Sequence, residues 1–464
     1  MLADLKPYPK MRDSGVEWLG AVPAHWGVRR LAQFGTLSKG SGGNKDDERS
    51  AGVPCIRYGD LYTTHHNFIQ RSRSFISNER VAEYSTTRFG DVLFASSGET
   101  IDEIGKSAAN VMQADACCGG DVIIFRPTES VDARYLGYVM DCPPVAAQKA
   151  RMGRGITVMH IYAAQLKYLV IPLPPLVEQT AIARFLDHVD RRIRHHIHAK
   201  QKLIALLEEQ KHATIHQAVT GKVDVRTGEP YSAYKRSGVL YVGCIPKHWR
   251  TARLKVVLAR SIQNGLFKKK DQYGNGSPLI NVSDVYGQRF FVEPSSLERV
   301  QASADETMNY RVLNGDILLV RSSLKLEGTG RAAIAMNCSD NTVFECHLVR
   351  ARPDDRRIHS RYLALLLNSW ALRHYFVSRA KVVTMATIAQ DTISSCRIVL
   401  PPVSEQDGIV EWLDSRCNKL ISAIEQANRD ISLLREYQER LIADVVRGKH
   451  DVHELAYLAD KVAS

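Results

Sequence analysis

The chain has 464 residues, a length that calls for two or more hydrophobic cores, and its 44% hydrophobic and 24% charged residues exclude a disordered polymer. A formal net charge of +12 favours a polyanionic partner. The longest apolar runs, near residues 168–177 and 362–372, are too short or too proline-broken to span a bilayer, and MLADLKPYPK holds no apolar signal segment, so a cytoplasmic protein is expected.

Residues 14–31, SGVEWLGAVPAHWGVRRL, place Trp26 after a Pro-x-His turn, which reads as a packing anchor at a domain entrance. His25 has no Ser, Cys or acidic neighbour at a spacing that indicates catalysis. Strands leading into loops are expected at CIRYGDLY from Cys55 and DVLFASSGET from Asp91, and a buried strand at DVIIF from Asp121. Gly90-Asp91 is a turn dipeptide feeding the second of these, after which hydroxyls and glycine gather at Ser96, Ser97 and Gly98. In RMGRGITVMHI, Arg154 and Thr157 stand three apart beside apolar anchors, a pattern that suits a phosphate contact as well as it suits a solvated loop.

Pro174 and Pro175 hold the next stretch extended, and the following Glu178-Gln179 suits the first turn of a helix starting near Val177. Ile182, Leu186, Val189 and Ile193 then step by four, three and four, the seam of a coiled coil, with Lys200 and Thr214 as interruptions. About forty residues of helix span roughly 60 Å, too long for an ordinary core helix. His195, His196 and His198 crowd this helix, but on a charged helical surface they read as solvated and no metal site is expected. Nine scattered cysteines without a CxxC pair read as reduced, mostly buried thiols.

After the polar segment TGKVDVRTGEPYSAYKRSG the pattern begins again. Residues 237–254, SGVLYVGCIPKHWRTARL, repeat residues 14–31 at an offset of 223, pairing His248 and Trp249 with His25 and Trp26. LINVSDVY from Leu279, GDILLVRSS from Gly315, the apolar helix RYLALLLNSWALRHYF from Arg361 and SRAKVVTMATI from Ser378 follow. At an offset of 227, Lys381 and Thr384 fall on Arg154 and Thr157, and LPPVSEQ starts a second helix near Ser404. There Leu413, Leu420, Ala427, Leu434 and Leu441 recur every seven residues. Leu186 with Leu413, Ile193 with Leu420, Ile197 with Ile424, Ile204 with Ile431 and Leu207 with Leu434 stay apolar in both copies, so the two seams can bury each other.

The expected fold class is α+β: two mixed α/β domains in tandem, separated by two long antiparallel coiled-coil helices. Expected boundaries are a domain over 1–176, a helix over 177–222, a linker over 223–236, a second domain over 237–403, a helix over 404–449 and a left-over tail over 450–464. Antiparallel pairing predicts globular units at the two ends of a rod.

Catalytic apparatus is missing from this pattern. The only GKS, at Gly105-Lys106-Ser107, has Thr100 where a phosphate loop needs its first glycine. The Pro-Pro pairs sit in CPPV, LPPL and LPPV, not in the Asn/Asp-Pro-Pro-aromatic tetrad of an adenine methyltransferase, and no carboxylate-lysine nuclease cluster is apparent. The chain reads as a recognition protein, not an enzyme.

The doubled SGV…P.HW entrance, YGDLY, GDVLFASSGET, GDILLVRSS and the doubled LPP…EQ helix closed by GK resemble, in order and over nearly the whole chain, the specificity subunit of type I restriction-modification systems. The resemblance implies two target-recognition domains, each reading one part of a split, asymmetric DNA sequence, with the spacer helices setting the gap. Half-sites read on one face of B-DNA lie about one helical turn, roughly 34 Å, apart. It further implies two modification subunits that methylate adenine N6 with S-adenosylmethionine, and two motor and nuclease subunits using ATP and magnesium; the chain itself would carry no cofactor. Within it, Ser96, Ser97, Arg321, Ser322, Ser323 and Lys325 are expected to read bases. Lys39, Arg57, Arg154, Lys268, Lys269 and Lys381, with Thr157 and Thr384, are expected at phosphates. A coiled-coil scaffold with incidental charge and a stand-alone DNA endonuclease are the rival readings.

Overall fold

A computed structural model describes residues 5–43, 45–101, 103–155, 158–239 and 241–454; Thr157 and residues 455–464 of the expected tail lie outside the described residues. The chain divides into two compact units, one made of residues 1–199 and 430–464, the other of residues 200–429.

Both units use one antiparallel ladder whose central strand is apolar on both faces. In the first unit the order is Gly35–Lys39, Val122–Pro127, Val92–Ala95, Ser107–Asn110, with Asn67–Ile69 added parallel at the edge. In the second it is Gln263–Asn264, Leu348–Ala351, Ile317–Val320, Ala332–Ile334. Val92–Ala95 and Ile317–Val320 are buried throughout, which explains their unbroken apolar sequence. A smaller sheet adjoins each ladder, in the order Ser74–Ile76, Val53–Ile56, Ala116–Cys118, Ser85–Thr87 in the first unit and Glu298–Val300, Tyr273–Ile280, Val343–Phe344 in the second.

Two local expectations change. YGDLY belongs not to a strand and loop but to a helix, Tyr58–Thr63, because the Asp60 carboxylate accepts from the Arg57 amide at 3.4 Å and supports the first turn. The apolar run from Arg361 is two helices, Ser360–Leu367 and Trp370–Val377. Between them the buried Asn368 donates to Ala364 O at 2.8 Å and to Ala332 O at 2.7 Å, tying the break to the ladder.

The long helices are Leu176–Val219 and Val403–Val446, each of 44 residues. Prolines precede both, and Gly221 and Gly448 follow at φ 69° and 72°, a left-handed stop that an L side chain resists. In the first unit Ile182, Leu186, Val189 and Ile193 share a core with Leu441, Val445 and Val446, so the beginning of one helix lies against the end of the other. In the second unit Ile215, Ala218 and Val219 share a core with Ile409, Leu413, Cys417 and Ile421, again antiparallel. The recurrence by sevens marks only part of the buried face, since Cys417, Ile424 and Ile431 are buried as well. Ile197, Ile204, Leu207, Leu420 and Leu434 are half-buried, and Leu203 and Leu206 are exposed.

The two long helices pair antiparallel as expected, and each half of their apolar faces also completes a unit's core. The segments expected as linker and left-over tail are likewise structural. Val223, Val225 and Tyr231 pack on the second core, while Val452 is buried in the first and the Asp451 amide donates to Lys6 O at 2.8 Å.

A doubled latch fixes the beginning of each helix. Trp26 Nε1 donates to Glu178 Oε2 at 2.8 Å, and Trp249 Nε1 donates to Glu405 Oε2 at 2.6 Å. His25 Nε2 meets Glu178 Oε1 at 2.5 Å and His248 Nε2 meets Glu405 Oε1 at 2.6 Å. The hydroxyls of Tyr8 and Tyr231 donate to the same carboxylates at 3.2 and 3.4 Å. Beside them Gln179 accepts from the Asp132 amide at 2.9 Å, and Gln406 accepts from the His359 amide at 2.7 Å. A Cβ on Gly448 or Gly221 would lie 2.3 Å from Cδ of Pro23 or Pro246, so the opposite helix can end there only as glycine.

Replacing Glu178 or Glu405 with Ala leaves a buried indole donor without an acceptor. Each variant is expected to lose about 1–3 kcal/mol of stability in its own unit. A urea midpoint unchanged by tryptophan fluorescence would remove the carboxylates from this role.

Candidate nucleic-acid interface

The Gly-Asp dipeptides position the candidate surface from beneath. Asp91 is buried, accepts from Arg126 Nη2 at 2.6 Å and holds the Arg88 amide at 2.9 Å. Asp316 does the same with Arg352 Nη2 at 2.6 Å and the Leu313 amide at 2.8 Å. Each paired carboxylate caps the turn that launches the central strand. Beyond that strand a short second ladder forms. Ser97–Gly98 pairs with Met159–His160, and Ser322–Ser323 pairs with Ala386–Thr387, which pairs in turn with Lys381–Val382.

In the second unit this ladder borders an open cleft of about 720 Å³, lined by Tyr286, Ser322, Ser323, Leu324, Lys325, Arg331, Glu345, His347 and Met385 among others. Ser322 and Ser323 are buried, and their hydroxyls are engaged with Thr387 Oγ1 at 3.1 Å and the Tyr286 hydroxyl at 3.2 Å. These serines set the shape of the cleft; Leu324 and Lys325 after them are exposed. Arg321 is half-buried, and its Nε is buried without a hydrogen-bond partner among the described residues. Glu345 accepts from the Val282 amide at 2.8 Å, and burial pushes its carboxyl above the ordinary range.

The first unit has the same frame with other groups. Tyr62 donates to Ser97 O at 2.9 Å, matching Tyr286 in place, and burial pushes its phenol up to about 12. Ser97 Oγ meets His160 Nδ1 at 3.0 Å, and Ser96 Oγ donates to Asp121 O at 2.9 Å. Tyr58, Glu99, Thr100 and Tyr162 are exposed around them.

The expected phosphate contacts separate into two groups. Lys39, Arg154, Lys269, Lys381 and Thr384 are exposed, with Arg154 and Lys381 on the short ladders or their bridges. Lys268 instead turns inward and meets Glu306 at 2.8 Å, and Arg57 Nη1 lies 3.7 Å from Glu48. His195, His196 and His198 are exposed on the first long helix.

Sequence reasoning missed the cations that hold these loops. Buried Lys149 donates to Gly105 O at 2.7 Å and to Ser107 Oγ at 3.1 Å, with Asp141 as counter-ion at 3.4 Å. Burial holds its ammonium below the usual lysine range. In the second unit Arg373 donates to Thr329 O at 2.5 Å and also to Glu327 O, and burial foremost, aided by nearby Arg331, pushes it down to about 10. The two cations are not at matching sequence positions, so the repeat gave no signal for them. Tyr62 and Tyr286 did carry one, as the last residues of YGDLY and VSDVY.

The family model described as type I restriction modification DNA specificity domain matches residues 23–205 and again 246–431. The chain is 22% identical over 437 residues to the type I restriction enzyme StySPI specificity subunit of Salmonella potsdam, covering 93% of this chain and 90% of that one. It is 21% identical over 439 residues to the EcoKI specificity subunit of Escherichia coli strain K12, again with 93% and 90% covered. A solved chain from work on complex assembly and conformational transition of the type I R-M system shares the fold at a TM-score of 0.67. It is 17% identical, with 92% of this chain and 99% of that one covered.

Arg373→Ala removes both donors from the 326–330 turn. Amide exchange at Gly328 and Thr329 is expected to accelerate about fivefold or more, on the loss of about 1–3 kcal/mol. Unchanged exchange would mean that the turn holds itself.

Proposed function

The chain belongs to the type I restriction modification DNA specificity domain family, and from that premise we propose that its two units read the two unlike parts of one split DNA target on behalf of catalytic partners. The observation that carries this is the doubled site: one frame, built twice from the same ladder and latch, presents Ser97-Gly98-Glu99-Thr100 in one unit and Ser322-Ser323-Leu324-Lys325 in the other. Equal frames with unequal lips are what reading two different short sequences requires. The exposed Lys325, Lys381, Arg154 and Lys39 supply the cations that a phosphate backbone attracts.

In this reading the chain is a non-catalytic subunit. Two modification subunits, carrying S-adenosylmethionine, methylate adenine at the sites it selects, and two motor and nuclease subunits use ATP and magnesium to cut unmodified DNA. Its place is the cytoplasm, where such DNA is met. Arg321 is assigned to base reading because this half-buried cation directly precedes the short strand Ser322–Ser323 that borders the cleft.

The test is to co-express the chain with its modification subunit and map methylated adenines in the host. A split motif with two unlike parts is expected; no motif, and no footprint from the complex, would favour a protein scaffold. Arg321→Ala should relax one base pair of one part only, a loss of about 1–3 kcal/mol of discrimination. Lys381→Ala should weaken binding on all sequences alike and lower the salt slope by about one. Uniform weakening by Arg321→Ala would move that residue to the phosphate contacts.

A further inference from the structure

We propose that one matched position, Leu324 in the second unit and Glu99 in the first, reads a base directly, Leu324 by packing on the 5-methyl group of a thymine and Glu99 by accepting from the 4-amino group of a cytosine. This rests on the DNA-reading function proposed above and names the chemistry that separates the two parts of the target.

The positions are structurally equivalent. Each residue directly follows a two-residue strand, Ser97–Gly98 or Ser322–Ser323, and each strand is held antiparallel to its partner in the same register, Ser97 opposite His160 and Ser322 opposite Thr387. The residue after the strand therefore emerges at the same corner of both frames.

What emerges differs in kind. Leu324 is 85% exposed beside the tip of the hairpin formed by Lys381–Val382 and Ala386–Thr387, where Val383 is 90% exposed and Met385 lines the same cleft as Leu324. Single exposed leucines are ordinary, but here apolar side chains from two segments form one lip. The lip is too small for a protein interface, which needs about 800 Å² on each side. It also stands between the exposed cations Lys325 and Lys381, which complement phosphates. An apolar tip flanked by cations fits the major groove, where the thymine methyl is the apolar feature among base edges. The cleft beside the lip is lined by Glu327 and Glu345 as well as by Lys325, Arg331 and His347, a mixed set of acceptors and donors that suits a base edge, which also carries both.

Glu99 is exposed at the corresponding corner of a basic chain. A carboxylate there repels phosphates, and it gains where it accepts from a base donor. Among the base edges of the major groove the cytosine amino group suits it.

The test uses the chain assembled with its modification subunit, after the target has been mapped. Synthetic duplexes carry deoxyuridine in place of one thymine at a time, which removes only the methyl group. At one thymine of one part, binding should fall about fourfold, and a complex with Leu324→Ala should show no such dependence. Glu99→Gln should relax a C·G pair in the other part only, and intact reading of the untouched part shows in each case that the variant is folded. A mapped target in which every uridine duplex binds like its thymine parent, or in which the fall persists with Leu324→Ala, would overturn the Leu324 assignment. Unchanged discrimination by Glu99→Gln would overturn the Glu99 assignment. Absence of any target would instead overturn the DNA-reading function itself.

Discussion

A carboxylate that accepts from an indole, an imidazole and a phenol at once decides where each long helix begins. Glu178 and Glu405 sit in the first turn, where the helix dipole favours a negative charge, and each holds a tryptophan that anchors its unit's entrance. The same tryptophans, with Pro23 and Pro246, crowd the glycines that end the opposite helices. One polar cluster therefore sets three things together: the start of one helix, the end of the other and the seat of the adjoining sheet.

Upon that seat the ladders divide their labour by depth. Asp91 with Arg126 and Asp316 with Arg352 lie beneath, and the loops are fastened from the side by Lys149 and Arg373. Groups so deeply engaged are poor candidates for contact with a ligand, because breaking them would leave charges buried and unpaired. The serines that look most like base readers in the sequence belong to this supporting layer in the second unit. On the proposed reading, contact would fall to the side chains that protrude past them.

This explains what could be read from sequence and what could not. Duplication was legible, because proline pairs, Pro-x-His-Trp turns and seven-residue recurrences are local patterns that survive repetition. The helix starts near Val177 and Ser404 fall within a residue of those observed. The role of Glu178 was not legible, since its donors lie 152, 153 and 170 residues away and nothing local marks an acceptor. YGDLY was misjudged for the opposite reason: its aromatic, β-prone composition is overridden by one aspartate at the third helical position. Lys268 looked like a free cation within a lysine run, and only the fold brings Glu306 to it.

Two copies of one frame with different lips also make sense energetically. A frame residue touches the sheet, the latch and the loops, so its replacement disturbs stability through several contacts at once. A lip residue such as Leu324 or Glu99 touches little of the protein, so its replacement is nearly neutral for folding. If the units read DNA as proposed, sequence preference could thus change in one unit while the anchor, the ladder and the other unit remain as they are. A single undivided reader would lack this freedom, because every change in its contact surface would alter recognition of the whole target. On the proposed reading, the doubled chain confines each change to half of it.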